Sequence, residues 1–225
     1  MKNNKEQKIN FSIIIPVFNS ESFIQETVDS LIKQNYKNIE IIIINDCSTD
    51  NSSKIINRIK KKNKKFNFKI VNNKRNMGVA FSRNIGLNLA KGDYIVFLDS
   101  DDYLEKNSLS FISNKILENS YPDLVLGNHN MKVSGIFQNK TNYYKNELKH
   151  KLKLINNSKK FTGYCWAFII NRNFLFRNNI RFLNIKTHED EVFVAKIISC
   201  CQNLIFINKK FYFHKSIPSS LSRKI

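Results

Sequence analysis

The chain has 225 residues, of which 42% are hydrophobic, enough for one domain with a sizeable core. Lys and Arg number 37 against 18 Asp and Glu; the net charge of +19 draws polyanions, whether nucleic acid, an anionic membrane leaflet or phosphorylated substrates. No stretch approaches the roughly 18 consecutive apolar residues of a membrane span. Lys2–Lys8 followed by Ile9–Phe18 imitates a signal peptide, but it ends in Asn19-Ser20-Glu21 with no small-residue cleavage site. The cysteines, Cys47, Cys165, Cys200 and Cys201, lack metal-ligand spacing and suit a reduced, cytoplasmic protein. The densest charge run, Lys60-Lys61-Lys62-Asn63-Lys64-Lys65, reads as a solvated loop.

In chain order, Ser12–Phe18 reads as a buried strand, ended by Pro16 and Asn19. Ser22 with Gln25 forms a capping box for a helix carrying Phe23, Ile24, Val28, Leu31 and Ile32. Ile39–Ile44 is a second strand. The polar turn from Asn45 to Ser52 opens a helix through Ile55, Ile56 and Ile59. Phe68–Val71 is a short strand, and Val79–Ala90 a helix closed by Gly92. Tyr94–Leu98 is a strand rich in β-branched and aromatic residues. Beyond it, Leu104–Leu117 reads as a helix, Leu124–Leu126 as a strand, and 128–160 as a lysine-rich loop region with one helix. Tyr164–Ile170 is a strand and Arg172–Asn178 a short helix. His188-Glu189-Asp190-Glu191 opens an amphipathic helix, and Leu204–Ile207 and Phe211–Phe213 are short strands. Strands alternating with helices predict a parallel, doubly wound sheet.

Polar residues gather after each strand: Asn19, Asp46, and the cluster Asp99-Ser100-Asp101-Asp102. Unpaired carboxylates are too costly to bury, so they belong in the crevice at the strands' carboxyl ends, where open α/β sheets bind ligands. Asp99 and Asp101, at alternate positions, offer oxygen ligands to a hard divalent cation, with coordination positions left over for a diphosphate.

Four segments in order, Ser12–Asn19, Asn45–Asp50, Arg83-Asn84-x-Gly86 and Asp99–Asp102, resemble the family 2 nucleotide-sugar glycosyltransferases. Trp166, His188-Glu189-Asp190, Tyr212-x-His214 and Pro218-Ser219-Ser220 extend the likeness towards bacterial members that build capsule or lipopolysaccharide sugars. The resemblance implies the A-type fold: one domain over 1–225, with a mixed, mainly parallel sheet and helices on both faces. Residues 9–127 would bind the nucleotide-sugar and 128–225 the acceptor. Many members run longer, which implies a further C-terminal segment.

The resemblance also implies roles. Pro16, Phe18 and Asn19 would line the nucleotide, and Asp46 would hydrogen-bond uracil. Arg83 would face the diphosphate or brace the loop. Asp99 would hold the ribose or a metal-bound water, with Ser100 beside the nucleotide. Asp101 would bind Mn²⁺ or Mg²⁺. Asp190, or else Glu189, would act as general base, which implies inversion; the plainer alternative is that Asp190 and Glu191 complement a helix N-terminus. His214 would reach the metal or a phosphate, or simply pack; Trp166 would stack on the acceptor sugar, or fill the core.

The implied enzyme moves a hexose or N-acetylhexosamine from a UDP-sugar to a saccharide acceptor, free or lipid-linked, and sits peripherally on the anionic inner face of the membrane. A basic nucleic-acid-binding module explains the charge but not the acidic cluster, so no nucleic-acid partner is expected. A nicotinamide-dependent enzyme is excluded because no G-x-G-x-x-G follows the first strand.

Overall fold

The structure, a computed structural model, describes residues 8–129, 143–145, 163–185 and 187–215. Its first half is four parallel strands: β1 (Phe11–Val17), β2 (Ile39–Asn45), β3 (Asn67–Asn72) and β4 (Tyr94–Phe97). Every residue of β1, β2 and β4 is buried, as the runs of Ile and Val require of strands covered on both faces. Burial of each such side chain contributes about 1.5–3 kcal/mol.

The helices between them are α1 (Ile24–Ile32), α2 (Ser52–Lys62) and α3 (Val79–Leu89). The strand order β3-β2-β1-β4 reverses direction after β3. Right-handed crossovers therefore place α1 and α2 on one face and α3 on the other. This is the expected doubly wound layout.

The second half adds β5 (Tyr103–Leu104), α4 (Ser108–Glu118), β6 (Leu124–His129), β7 (Tyr143–Lys145), β8 (Phe168–Asn171), α5 (Arg172–Arg177), α6 (Glu189–Cys200) and β9 (Asn203–Phe213). The whole is one mixed sheet, ordered β3-β2-β1-β4-β8-β6-β9-β5, with β7 pairing on β9. Strand β8 runs antiparallel to both β4 and β6 and so joins the halves. Among the described residues no helix is long and apolar enough to cross a membrane.

Several boundaries differ from expectation for local reasons. The capping box at Ser22 is not formed: Phe23 and Ile24 N–H both donate to Ser20 O, and Gln25 Nε2 donates to Asp29. Gly92 is not a C-cap. It lies where a Cβ would meet Ser12 N at 2.7 Å and Asn10 O at 2.8 Å, so it serves close backbone approach. Helix α4 starts at Ser108 because Tyr103 and Leu104 pair with Phe213 and Tyr212. Only the end of Tyr164–Ile170 is strand; Cys165–Ala167 form a 3₁₀ turn. The two expected short strands are one, β9, with a register shift opposite Gly127 and Asn128. Most of the 128–160 loop region and the Pro218-Ser219-Ser220 tail lie outside the described residues.

Pro16 sits in β1 opposite Ile44, beyond Ile14, where pairing with β4 stops. Its missing N–H therefore falls where β1 no longer has a neighbour on that side.

At the opposite end of the sheet, Glu40 ties four segments together. It accepts from Ser12 Oγ at 2.5 Å, Lys91 N at 2.5 Å, Gly92 N at 3.1 Å and Lys69 Nζ at 2.6 Å. Burial alone would raise this carboxyl, but the bonds from Lys69, Ser12 and Lys91 outweigh it and hold Glu40 below its ordinary range. Replacing Glu40 by Gln is expected to lower stability by about 1–3 kcal/mol at neutral pH. Because the folded state depresses this carboxyl, its contribution is full above the ordinary value of 4.5 and is lost as pH falls through the depressed one. Urea denaturation at neutral and acidic pH checks this: the gap between wild type and variant should narrow in acid.

Candidate active site

Three parallel strands end together: Val17 pairs with Asn45, and Ile14 with Phe97. The loops that follow are laced to each other. Asn19 adopts the left-handed conformation (φ 48°), and its Oδ1 accepts from Thr49 N at 2.8 Å. Its own N–H donates to Ser48 Oγ at 3.1 Å. Glu21 accepts from Asn51 N at 2.8 Å, and Glu21 N donates to Asp50. Asn45 accepts from Ser48 Oγ and donates to Asn72. These bonds hold the crevice wall without regular structure. Phe18 stands at its mouth, 47% exposed.

Asp46 is buried, and both its oxygens are engaged. Oδ1 accepts from Asn73 Nδ2 at 2.7 Å and Met77 N at 2.9 Å; Oδ2 accepts from Gly78 N at 2.7 Å and Met77 N at 3.1 Å. The expectation of an acid waiting for uracil is therefore amended: Asp46 first braces the turn that leads into α3.

In the acidic cluster each member has a different duty. Ser100 Oγ bonds Ser20 Oγ at 2.7 Å, and its carbonyl accepts from Thr27 Oγ1 at 2.8 Å, pinning the cluster to α1. Asp102 is buried and accepts from Tyr212 Oη at 2.6 Å, His214 Nδ1 at 3.2 Å and Lys215 N at 2.7 Å. It is a structural anchor for the end of β9 and raises the His214 imidazole above its ordinary value. Among the described residues Asp101 has no such anchoring. Burial, then the charges of Asp102 and Asp99, push its carboxyl up to about 6. Among the described residues no three His, Cys, Asp or Glu side chains form a ready-made metal cage. The donor chemistry nonetheless fits a hard divalent cation. Asp101 and Asp99 present oxygen atoms in a site with excess negative charge, and such ions are held by one or two carboxylates plus substrate phosphates.

The centre of the site is Arg83, only 3% exposed. Its Nη2 donates to Asp99 Oδ1 at 3.0 Å, and its Nη1 contacts Asp190 Oδ1 closely and Glu189 Oε1 at 3.4 Å. Its Nε finds no partner among the described residues, so the two terminal nitrogens serve the acids. Arg83 therefore braces carboxylates rather than the loop. Burial pushes Asp190 up; Arg83 opposes this, Asp99 and Glu189 add to it, and the result is about 6. The buried Cys165 thiol also hydrogen-bonds Asp190.

The motif around Arg83 explains its placement. A Cβ on Gly86 would lie 2.3 Å from Ile14 Cγ2, so only glycine lets α3 settle on β1 at this height. Asn84 grips the backbone of Phe182 twice, at 2.9 and 3.0 Å. Phe182 stacks on Phe193 of α6 at 3.9 Å, and Phe97 meets both rings edge-on. One turn of α3 thus positions both the acid after β4 and the acids that open α6.

Of the two roles open to Trp166, the structure shows the core one. It is 3% exposed and stacks on Tyr164 at 4.9 Å and Tyr212 at 4.4 Å. Its faces are covered, so the exposed member of the stack is Tyr164. Sequence reasoning also missed Asn84, Cys165, Phe182 and the anchoring role of Asp102. Only Asn84 and Asp102 lay inside motifs that could have flagged them.

Arg83→Leu would strand three partly buried carboxylates and is expected to cost roughly 3–5 kcal/mol of stability. Arg83→Lys, which keeps the charge but not the fork, should restore part of that loss. Denaturant midpoints of the two variants check this.

Comparison with known proteins agrees with this geometry. The profile of Glycosyl transferase family 2 matches residues 12–179. An uncharacterized glycosyltransferase of Haemophilus influenzae is 46% identical over 48% of this chain and 42% of its own length. The UDP-Glc:alpha-D-GlcNAc-diphosphoundecaprenol beta-1,3-glucosyltransferase WfaP of Escherichia coli is 42% identical over 59% of this chain and 45% of its own length. This chain thus spans less than half the length of both relatives. The structure of Staphylococcus aureus TarS in complex with UDP-GlcNAc superposes with a TM-score of 0.81 at 26% identity, over 96% of this chain and 61% of that one. The chain has the A-type fold and belongs to glycosyl transferase family 2.

Proposed function

We propose that this domain is an inverting, metal-dependent glycosyltransferase that moves a hexose or N-acetylhexosamine from a UDP-sugar to a hydroxyl of a surface glycan. The observation that carries the reading is Arg83, whose guanidinium joins Asp99 on the donor side to Asp190 on the acceptor side within one crevice. The UDP-GlcNAc complex of TarS supports the donor class, and the diphosphoundecaprenol acceptor in the name of WfaP supports a lipid-linked glycan.

On this reading residues 9–127 bind the donor and 128–225 the acceptor. Phe18 stacks on the base, with Pro16 and Asn19 beside it. Asp46 shapes the base pocket by holding the Asn73–Gly78 turn, and a direct uracil contact replaces one of its present donors. Asp101, with Asp99, would hold Mn²⁺ or Mg²⁺, which neutralises the leaving diphosphate. His214 would stand beside the metal, its ring oriented by the bond between Nδ1 and Asp102. Ser100 keeps the acidic loop in place through Ser20.

Asp190 takes the proton from the acceptor hydroxyl as that oxygen attacks the anomeric carbon from the side opposite the diphosphate. A carboxylate with a value near 6 is a stronger base than an ordinary one yet ionised at neutral pH. Arg83 keeps it ionised and aimed, and Glu189 shares the same guanidinium. Tyr164, 40% exposed, takes over the sugar-stacking role first assigned to Trp166.

UDP with Mn²⁺ should raise the melting temperature, and a chelator should cancel the shift; an equal shift from oligonucleotide without metal contradicts the reading. Asp190→Asn should lower transfer by roughly 10²–10⁴-fold while the UDP-dependent shift persists. Because Asp190 must be ionised to accept a proton, kcat/KM should rise with pH through about 6 and then level. A profile flat from pH 5 to 7 removes Asp190 from the role.

A further inference from the structure

Four of the eight large apolar side chains exposed among the described residues come from one stretch: Phe176, Leu183, Ile185 and Val192, at 38%, 52%, 41% and 40%. Two guanidinium groups flank the Phe176 ring, those of Arg172 and Arg181, each 4.5 Å from its centroid. Neither has a carboxylate partner among the described residues. Arg172 Nε donates to Ala90 O; Arg181 donates to Ile180 O and to Asn88 Oδ1. Burial lowers the Arg181 guanidinium, and no acid beside it offsets that. Arg83 and Arg177, by contrast, both pair with carboxylates. Acid-free guanidinium groups set among protruding apolar side chains complement a surface that is anionic outside and hydrocarbon within.

The position of this strip narrows its partner. It runs along α3, where Asn88 meets Arg181 and Asn84 holds Phe182, and it leads into α6, which begins at Glu189 and Asp190. It therefore lies on the α3 face of the sheet. The lysine run at 60–65 ends α2, on the other face. A flat bilayer meets one of these faces and not both. Asp190 is held by Arg83 of α3, so the α3 face is the one that leads to where, on the proposed function, a lipid-linked acceptor presents its hydroxyl.

We propose that Arg172, Phe176, Arg181, Leu183 and Ile185 form the surface by which this domain docks on an anionic phospholipid bilayer, and that the lysine run at 60–65 does not. The acceptor geometry rests on the function proposed above; the docking itself does not and is read without any sugar transfer.

Co-sedimentation of the full chain with phosphatidylcholine vesicles, with and without phosphatidylglycerol, tests it. Wild type should bind only the vesicles containing phosphatidylglycerol. Arg172→Gln combined with Arg181→Gln should weaken binding roughly thirtyfold. Lys60→Gln, Lys61→Gln and Lys62→Gln together remove more charge and should weaken it less. A larger loss from the lysine variant, or no binding by wild type, overturns the proposal. A Leu183→Trp variant gives a second reading: brominated lipid should quench the new tryptophan, and unquenched emission from vesicle-bound protein also overturns it. The UDP-dependent thermal shift should be the same in every variant, so a failed donor site is distinguishable from failed docking.

Discussion

A buried guanidinium cannot stand alone, and neither can the carboxylates around it. Arg83, Asp99 and Asp190 settle this by sharing one charge centre. Two of these acids come from parts of the chain far apart in sequence. The need to neutralise them draws the first and second halves of the sheet onto each other. Desolvation makes the arrangement expensive, and its use is precision: the fork of an arginine fixes two carboxylates in one plane and distance, as a flexible lysine does not. Burial, with the neighbouring carboxylates adding to it, leaves Asp190 and Asp101 both raised to about 6. On the proposed function, one acid is a base held ready and the other a seat for a cation.

The rest of the crevice is built so that this centre does not drift. Gly86 lets α3 approach β1, Asn84 clamps Phe182, and the Phe97, Phe182 and Phe193 cluster seats α6. Asp102 secures β9 through Tyr212, and Tyr212 Oη also accepts from Asp99 N at 3.2 Å. Side chains that look catalytic in sequence are therefore often supports. Asp46 and Asp102 are acids whose lone pairs are taken by the protein itself, and Trp166 is the middle of an aromatic stack.

Much of this was legible in the sequence because it follows from short-range rules. Apolar runs gave β1, β2 and β4, and the polar residues after them had to meet at the carboxyl ends of a parallel sheet. The motif residues Arg83, Asp99, Asp101 and Asp190 could be named, but not their mutual contacts. Pairing across 107 positions, as between Arg83 and Asp190, leaves no periodicity to read. The same holds for β9: a single strand of eleven residues looked like two because Asn208, Lys209 and Lys210 interrupt its apolar pattern. Gly92 was misjudged because a glycine needed for close approach and one needed for a left-handed turn are the same letter. Trp166 was left open between sugar stacking and core because burial of an aromatic depends on partners, Tyr164 and Tyr212, that only the fold brings together.

Arg83 couples the acids of the two halves of the sheet into one site. A double-mutant cycle on Arg83→Met and Asp190→Asn, read by urea denaturation, measures that coupling without any substrate. The shared-cation arrangement predicts an interaction energy of roughly 0.5–3 kcal/mol, the range for residues in direct contact or in one salt-bridge network. Strictly additive effects of the two substitutions would contradict it.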